Sequence, residues 1–80
     1  MTRDLLRAVG EALYGPRWQR ELAAALGVHE RTMRRWVADQ TRPPDGVIDD
    51  LRALLRARRR LLAETLRALP LSRAASPPRS

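Results

Sequence analysis

The chain contains no cysteine, no lysine and no long apolar run. Without cysteine it forms neither disulfides nor thiolate metal sites, which suits the reducing cytoplasm. Its longest apolar run, Leu22 to Leu26, is far too short to cross a membrane. The N-terminal stretch MTRDLLRAVG alternates charged with apolar residues, so it lacks the apolar segment of a signal peptide. We therefore expect a soluble cytoplasmic protein that does not enter the membrane.

Residues with catalytic or metal-binding chemistry are also sparse. The chain has no phosphate-binding glycine loop and no pairing of a nucleophile with a base. The single histidine, His29, has no cysteine or histidine companion, so a metal site is not expected there. Asp45, Asp49 and Asp50 cluster where a helix is expected to begin, and acidic side chains compensate the helix dipole at such a place. We expect a binding protein rather than an enzyme, without cofactor, metal or small-molecule ligand.

Arginine dominates what is present. All sixteen basic residues are arginines, against nine acidic residues, and the formal net charge is +7. A small domain of this charge attracts polyanions, of which nucleic acid is the commonest. Eighty residues make one domain, and a chain this short buries only about 60% of the surface that its unfolded form exposes. A partner subunit would add to its stability.

Apolar residues recur at helical spacing along the chain without any strand-like alternation, so the predicted fold class is all-α. The first helix is predicted over about residues 3–13, with Thr2 as its N-cap. The stretch Tyr14-Gly15-Pro16 interrupts the pattern. Because proline fits the first turn of a helix, the second helix is predicted to start at Pro16 or Arg17.

The second and third helices are predicted to meet at Gly27. A glycine there ends a helix in the left-handed conformation without a steric clash of its side chain. The third helix is predicted from about His29 to Asp39, on the spacing of its apolar residues. A loop rich in proline and glycine follows, and Asp45 is predicted to cap a fourth helix.

The C-terminal third of the chain leaves one choice open. Residues 46–69 form either one long helix or two helices that are jointed near the arginines. Pro70 ends the helical pattern, and residues 70–80 are too poor in apolar side chains to build a core. We therefore expect one folded domain over residues 1–69 and a disordered tail after it.

The residues around the predicted turn at Gly27 fit a helix-turn-helix. That motif needs a small residue where its helices cross, a glycine in the turn, and apolar residues that fix the angle of the second helix. These positions are filled by Ala23, Gly27, Val28, Met33 and Trp36. Trp18 lies on the apolar face of the second helix, so both tryptophans are expected in the core. The third helix would then turn its polar face outward.

The stretch QRELAAALGVHERTMRRW, followed by RPP, resembles the small Cro and CI-type repressor domains of phages and mobile elements, including autoregulators beside anti-CRISPR genes. The resemblance covers residues 2 to 55. It implies a lambda-repressor-like domain of four or five helices that binds operator DNA as a dimer, followed here by a C-terminal helical extension. It also implies that Gln19 contacts a phosphate or a base edge. Those domains usually start the reading helix with Ser or Thr, whereas this chain has His29, a weaker cap.

The outward side chains of the third helix are the candidates for reading base edges. They are His29, Glu30, Arg31, Thr32, Arg34 and Arg35. Arginine donates two parallel hydrogen bonds to guanine, at about 1–3 kcal/mol of discrimination per good pair. Glu30 either accepts from cytosine or, as we prefer, orients Arg34 one turn further on. The flanking residues expected on phosphates are Arg17, Gln19, Arg20 and Arg42.

Two clusters lie beyond the reading motif. The first is a leucine cluster made of Leu61, Leu62, Leu66 and Leu69. We interpret it as a surface for symmetric dimerisation; packing back onto the first helix and lying on a membrane surface are the alternatives. The second cluster is Arg56–Arg60, for which exposure to solvent or pairing with an acidic partner is preferred over contact with DNA.

Together these patterns predict a dimeric transcriptional regulator, most simply an autorepressor, that binds an inverted repeat in double-stranded DNA through its third helix. Two alternatives stay open. One is an excisionase or other architectural DNA-binding protein, and the other is a protein adaptor whose helical face meets an acidic partner.

Overall fold

Residues 2–71 are described by a computed structural model, and every regular element among them is helical. The elements are α1 (Arg3–Tyr14), a 3-10 turn (Gly15–Arg17), α2 (Trp18–Leu26), α3 (Glu30–Val37) and α4 (Gly46–Ala68). The all-α class predicted from the periodicity is therefore confirmed. The tail predicted over residues 70–80 lies, from residue 72 onward, outside the described part of the chain.

Helix α1 begins at the predicted cap. Thr2 has an extended backbone, and its Oγ1 accepts a hydrogen bond from the amide of Leu5 at 3.2 Å. Asp4 lies in the first turn, where its charge meets the positive end of the helix dipole. The helix ends at Tyr14, one residue beyond the predicted end.

The connection between α1 and α2 differs from the prediction. Pro16 does not open α2 but lies within the short 3-10 turn, and α2 itself starts at Trp18. The reason is the backbone of Arg17, whose angles of φ −104° and ψ 47° lie outside the helical region. Regular α-helical geometry therefore starts only after that residue.

Gly27 ends α2 as predicted, with left-handed angles of φ 72° and ψ 28°. The amide of Gly27 donates to the carbonyl of Ala24 at 3.1 Å, and the amide of Val28 donates to the carbonyl of Ala23 at 2.9 Å. This pair of bonds is the Schellman motif, which satisfies carbonyls that the end of a helix leaves unpaired. It fixes the direction in which the chain leaves α2 for α3.

Helix α3 is shorter than predicted at both ends. His29, the predicted first residue, lies before the helix as its N-cap, and its Nδ1 accepts a hydrogen bond from the amide of Arg31 at 3.3 Å. Asp39, the predicted last residue, lies beyond the end at a left-handed φ of 63°, and its amide donates to the carbonyl of Trp36 at 3.1 Å. Aspartate enters this conformation more readily than most residues with a side chain.

Helix α4 is one continuous helix of 23 residues, which resolves the choice between one helix and two. Asp45 occupies the N-cap position of this helix as predicted, but it does not act as a side-chain cap. Asp45 has helical backbone angles of φ −58° and ψ −34°, and its side chain makes no capping hydrogen bond. A capping side chain usually reaches the first turn from an extended backbone, which Asp45 does not have.

The core lies between the first three helices and the first half of α4. Its buried apolar side chains are Leu6, Leu13, Trp18, Leu22, Ala23, Met33, Trp36, Val47 and Leu51. Both tryptophans are therefore core residues, as predicted. Gly10 makes room for one of them, because a Cβ at Gly10 would overlap with the Trp18 indole, whose Cγ lies 2.9 Å from the Cβ position.

Arg58 departs from what was predicted for the arginine cluster, namely exposure to solvent or pairing with an acidic partner. Its Nη1 donates to the carbonyl of Leu13 at 2.6 Å, and its guanidinium carbon lies 5.5 Å from the centroid of the Tyr14 ring. Arg58 is half-buried, whereas Arg56, Arg59 and Arg60 are exposed as expected. The carbonyl of Leu13 belongs to the last turn of α1, so Arg58 joins the end of α1 to the middle of α4.

The remainder of α4, from Arg59 to Ala68, projects from the core, and we call it the projecting half. Every described residue from Arg59 onward is exposed. The four residues of the leucine cluster have exposed fractions between 55% and 71%. The alternative in which these leucines pack back onto the first helix is therefore wrong.

Candidate nucleic-acid interface

The orientation of α3 is fixed by the side chains on its inner face. Met33 is fully buried, Trp36 is 5% exposed, and Val37 is half-buried against the core. Residues three and four apart lie on one face of a helix, so these three pin the same side of α3. The opposite side of α3 must therefore face solvent.

Five of the six residues predicted to read bases stand on the exposed surface. The exposed residues are His29, Glu30, Arg31, Arg34 and Arg35. Thr32 is half-buried, because it borders the packed face of the helix. The structure thus brings the predicted reading set together, with Thr32 as its least accessible member.

Two of the arginines on α3 are not engaged by acidic groups. Among residues 2–71, neither Arg31 nor Arg35 has a carboxylate oxygen within 4.0 Å of its guanidinium. Their donors therefore remain available to an external acceptor. Arginine presents five N–H donors in a planar fork, which suits carboxylate, phosphate and guanine edges.

Glu30 lies between two arginines from different helices. Its Oε1 is 3.8 Å from Nη1 of Arg34, and its Oε2 is 3.4 Å from Nε of Arg20. The pairing with Arg34 matches the prediction, whereas the contact with Arg20 has no signal in the sequence because it joins α2 to α3. All three side chains are at least 48% exposed, so these ion pairs add little to stability.

His29 has a structural task as well as an exposed position. Because its Nδ1 accepts the amide of Arg31, that nitrogen carries no proton, and Nε2 is the protonated nitrogen of the neutral ring. His29 thus acts as the N-cap of α3, although histidine is not among the residues preferred at that position. It leaves Nε2 as a donor at the exposed start of α3.

The residues predicted to contact phosphates fall into two groups. A shallow depression at the start of α2 is lined by Pro16, Arg17, Gln19, Arg20 and Glu21. Arg20 reaches the first turn of α3 through Glu30. Arg42 lies apart from this group, in a depression that Trp36 and Asp39 also line near the end of α3. Arginine side chains therefore lie near both ends of α3, and Asp4 and Asp39 line the same depression as Arg42.

One further cation, Arg3, stands near the end of α3 without any signal in the sequence. This exposed residue lines the same depression as Arg42, although the two are far apart in the chain. They come together because the start of α1 lies beside the loop that follows α3. No local pattern signals this, since it depends on how the helices pack.

No family, no curated protein and no solved structure matches this chain. Within residues 2–71, no helix is long and apolar enough to cross a membrane. The same residues contain no group of three or more side chains that could hold a metal ion.

Proposed function

We propose that the chain is a sequence-specific DNA-binding protein in which α2, the following turn and α3 act as the helix-turn-helix of a lambda-repressor-like domain. One observation carries this proposal: α3 is held by buried Met33 and Trp36 while Arg31, Arg34 and Arg35 are exposed. A helix anchored in this way presents the same side chains to a major groove at each encounter. A helix that was only loosely attached could not read a sequence reproducibly.

The dimensions of α3 suit this task. With its side chains an α-helix is about 10–12 Å across, and the major groove of B-form DNA is about 12 Å wide, so α3 could lie within the groove. The arginines would donate bidentate hydrogen bonds to guanine O6 and N7, which discriminate between bases. Glu30 would hold Arg34 in one orientation and reduce the number of conformations that binding must select.

The surrounding cations suit contacts to the DNA backbone. Arg17 and Arg20 lie on one side of α3, and Arg42 with Arg3 lies near its end. The neutral amide of Gln19 lines one depression with the first pair and another with Arg3. Contacts to phosphates position a protein on the duplex without specifying sequence. Because each contact releases counterions, affinity should fall steeply as salt is added.

The proposed active form is a homodimer held together by the leucine cluster. An apolar surface of this kind on a small protein commonly marks an interaction site. Two reading helices about 34 Å apart would select an inverted repeat. Such a dimer would act in the cytoplasm, on the nucleoid, as a transcriptional regulator that represses its own promoter by excluding polymerase. It would need neither catalysis nor a cofactor.

Selection of binding sites from random duplex DNA, followed by footprinting at a stated salt concentration, tests this proposal. A protected inverted repeat is the expected result. Protection of an extended bent tract would indicate an architectural protein, and no protection at physiological salt would indicate an adaptor for an acidic protein. Alanine at Arg31, Arg34 and Arg35 should abolish the footprint. A matched control removes the same charge from α4, with alanine at Arg56, Arg59 and Arg60, and should retain it.

A further inference from the structure

An apolar groove runs between α1 and α4 on the body of the protein. Its lining residues are Leu5, Val9, Ile48, Leu51, Arg52 and Leu55. Leu5 is 55% exposed, Ile48 39% and Leu55 38%, although all three are large apolar side chains. The groove is thus an apolar surface that is separate from the arginine-bearing face of α3.

The groove continues along α4 as one apolar stripe. At about 100° of rotation per residue, five side chains of α4 and that of its C-cap residue fall within a sector of about 60°. They are Ile48, Leu51, Leu55, Leu62, Leu66 and Leu69. Their separations are three, four, seven, four and three residues, so the spacing is the same from either end of the helix. That symmetry is what a helix needs in order to pair with a copy of itself running in the opposite direction.

We propose that a second copy of this chain fills the groove, with the two α4 helices antiparallel and a two-fold axis passing between residues 58 and 59. In this register the projecting half of each α4 lies on the groove of the other copy. The exposed pairs that meet are Leu69 with Ile48 and Leu62 with Leu55, and Leu66 lies over Leu51, which is 3% exposed in the body of the other copy. This inference deepens the homodimer of the proposed function and does not depend on DNA binding.

In this arrangement the groove of each copy covers the projecting half of the other copy. From Ile48 to Leu55 and from Leu62 to Leu69 the stripe covers the same length of helix, about 10 Å. The first segment has α1 beside it, whereas the second has no neighbour among the described residues. A parallel pair would instead place the two bodies at the same level and leave both projecting halves without α1 beside them. The antiparallel pair also sets the opposite ends of the two helix dipoles side by side.

The absence of cysteine makes this geometry directly testable in the full chain. Ile48→Cys and Leu69→Cys place one thiol each at exposed positions, so neither should disturb the fold. The two variants, one carrying a mass tag, are mixed without DNA and treated with a short bismaleimide. We expect cross-linked dimers that contain one chain of each kind. Ala53→Cys, on the opposite side of α4, is the matched control and should cross-link with neither.

Three results would overturn the proposal. Cross-linking of Leu69→Cys to itself would indicate a parallel pair, and no cross-linking at all would indicate that the stripe does not meet a second copy. Sedimentation of the unmodified chain at 9.1 kDa at every concentration would exclude any dimer. Leu66→Asp should convert a dimer of twice that mass to monomer without loss of helical circular dichroism. Because DNA is absent throughout, these results are independent of the footprint, and a failure here leaves the reading role of α3 intact.

Discussion

Helix α3 and the projecting half of α4 are both short stretches in which apolar residues are interspersed with arginines, yet their apolar side chains differ in burial. In α3 the apolar side chains are buried against α1 and α2, which leaves its arginines on the outside. In the projecting half the leucines and the arginines are exposed alike. The apolar side chains of α3 are therefore packed within the chain, whereas those of the projecting half have no packing partner among the described residues.

The contrast shows what amphipathicity does and does not indicate. An apolar face indicates that a helix packs against a partner, because exposing apolar surface to water raises the free energy. It does not tell whether that partner belongs to the same chain. Helix α3 follows α2 after a turn of three residues, so its partner is local. The projecting half has no such neighbour, and we propose that a second copy provides it.

The difference between the two regions is tested most directly by replacing one apolar residue of each region with alanine. Trp36→Ala should lower the free energy of unfolding by about 3–5 kcal/mol, because it leaves a cavity beneath α3. Leu66→Ala should change it by less than about 0.5 kcal/mol in dilute solution, because Leu66 is 71% exposed. Urea denaturation at a concentration that favours monomer measures both. Similar losses of unfolding free energy in the two variants would show that the two regions do not differ in how their apolar side chains are packed.

A second prediction concerns the point at which α4 leaves the body. Arg58→Ala should lower the free energy of unfolding by about 1–2 kcal/mol. The substitution removes a charged donor from the carbonyl of Leu13 and a cation from the face of Tyr14. Arg60→Ala is the control, since Arg60 is exposed two residues further along the same helix. Its free energy of unfolding should stay within about 0.5 kcal/mol of that of the parent chain in the same urea denaturation. If Arg60→Ala costs as much as Arg58→Ala, the tether to α1 is not what stabilises this junction.

Local features of this fold were predictable from the sequence, and contacts between distant segments were not. The cap at Thr2 and the left-handed Gly27 follow from residues within one turn. The close approach of Trp18 to Gly10 and the bond from Arg58 to Leu13 depend on how helices pack. Nothing in the pattern around those residues distinguishes them from an ordinary helix interior or an ordinary solvated arginine.

The candidate site divides in the same way. The exposed face of α3 was predictable, because Met33 and Trp36 are three residues apart and fix its inner side. The contact of Arg20 with Glu30 and the position of Arg3 beside Arg42 were not, since each joins two separate elements. Sequence periodicity indicates which face of a helix is free, but only the packed structure indicates what stands beside that face.

A third prediction separates reading from positioning. Arg34→Ala should weaken binding to the selected site by about 1–3 kcal/mol while changing binding to random DNA much less. Arg42→Ala should weaken both by a similar factor and reduce the salt dependence by about one counterion. Titrations of the two duplexes at several salt concentrations measure both effects. Equal losses on the two duplexes for Arg34→Ala would remove that residue from the reading set.

The smallest expected effect tests whether Glu30 orients its neighbours. Glu30→Gln keeps the shape of the side chain but removes the charge that holds Arg20 and Arg34. Stability should hardly change, because exposed ion pairs contribute about 0–1 kcal/mol. Affinity for random DNA should rise, since a negative charge is lost beside the phosphates, and the ratio of specific to random binding should fall. Glu64→Gln makes the same change on the projecting half, far along the chain from α3, and should leave that ratio unaltered. A ratio that stays constant in Glu30→Gln would mean that the carboxylate lies beside the arginines without orienting them.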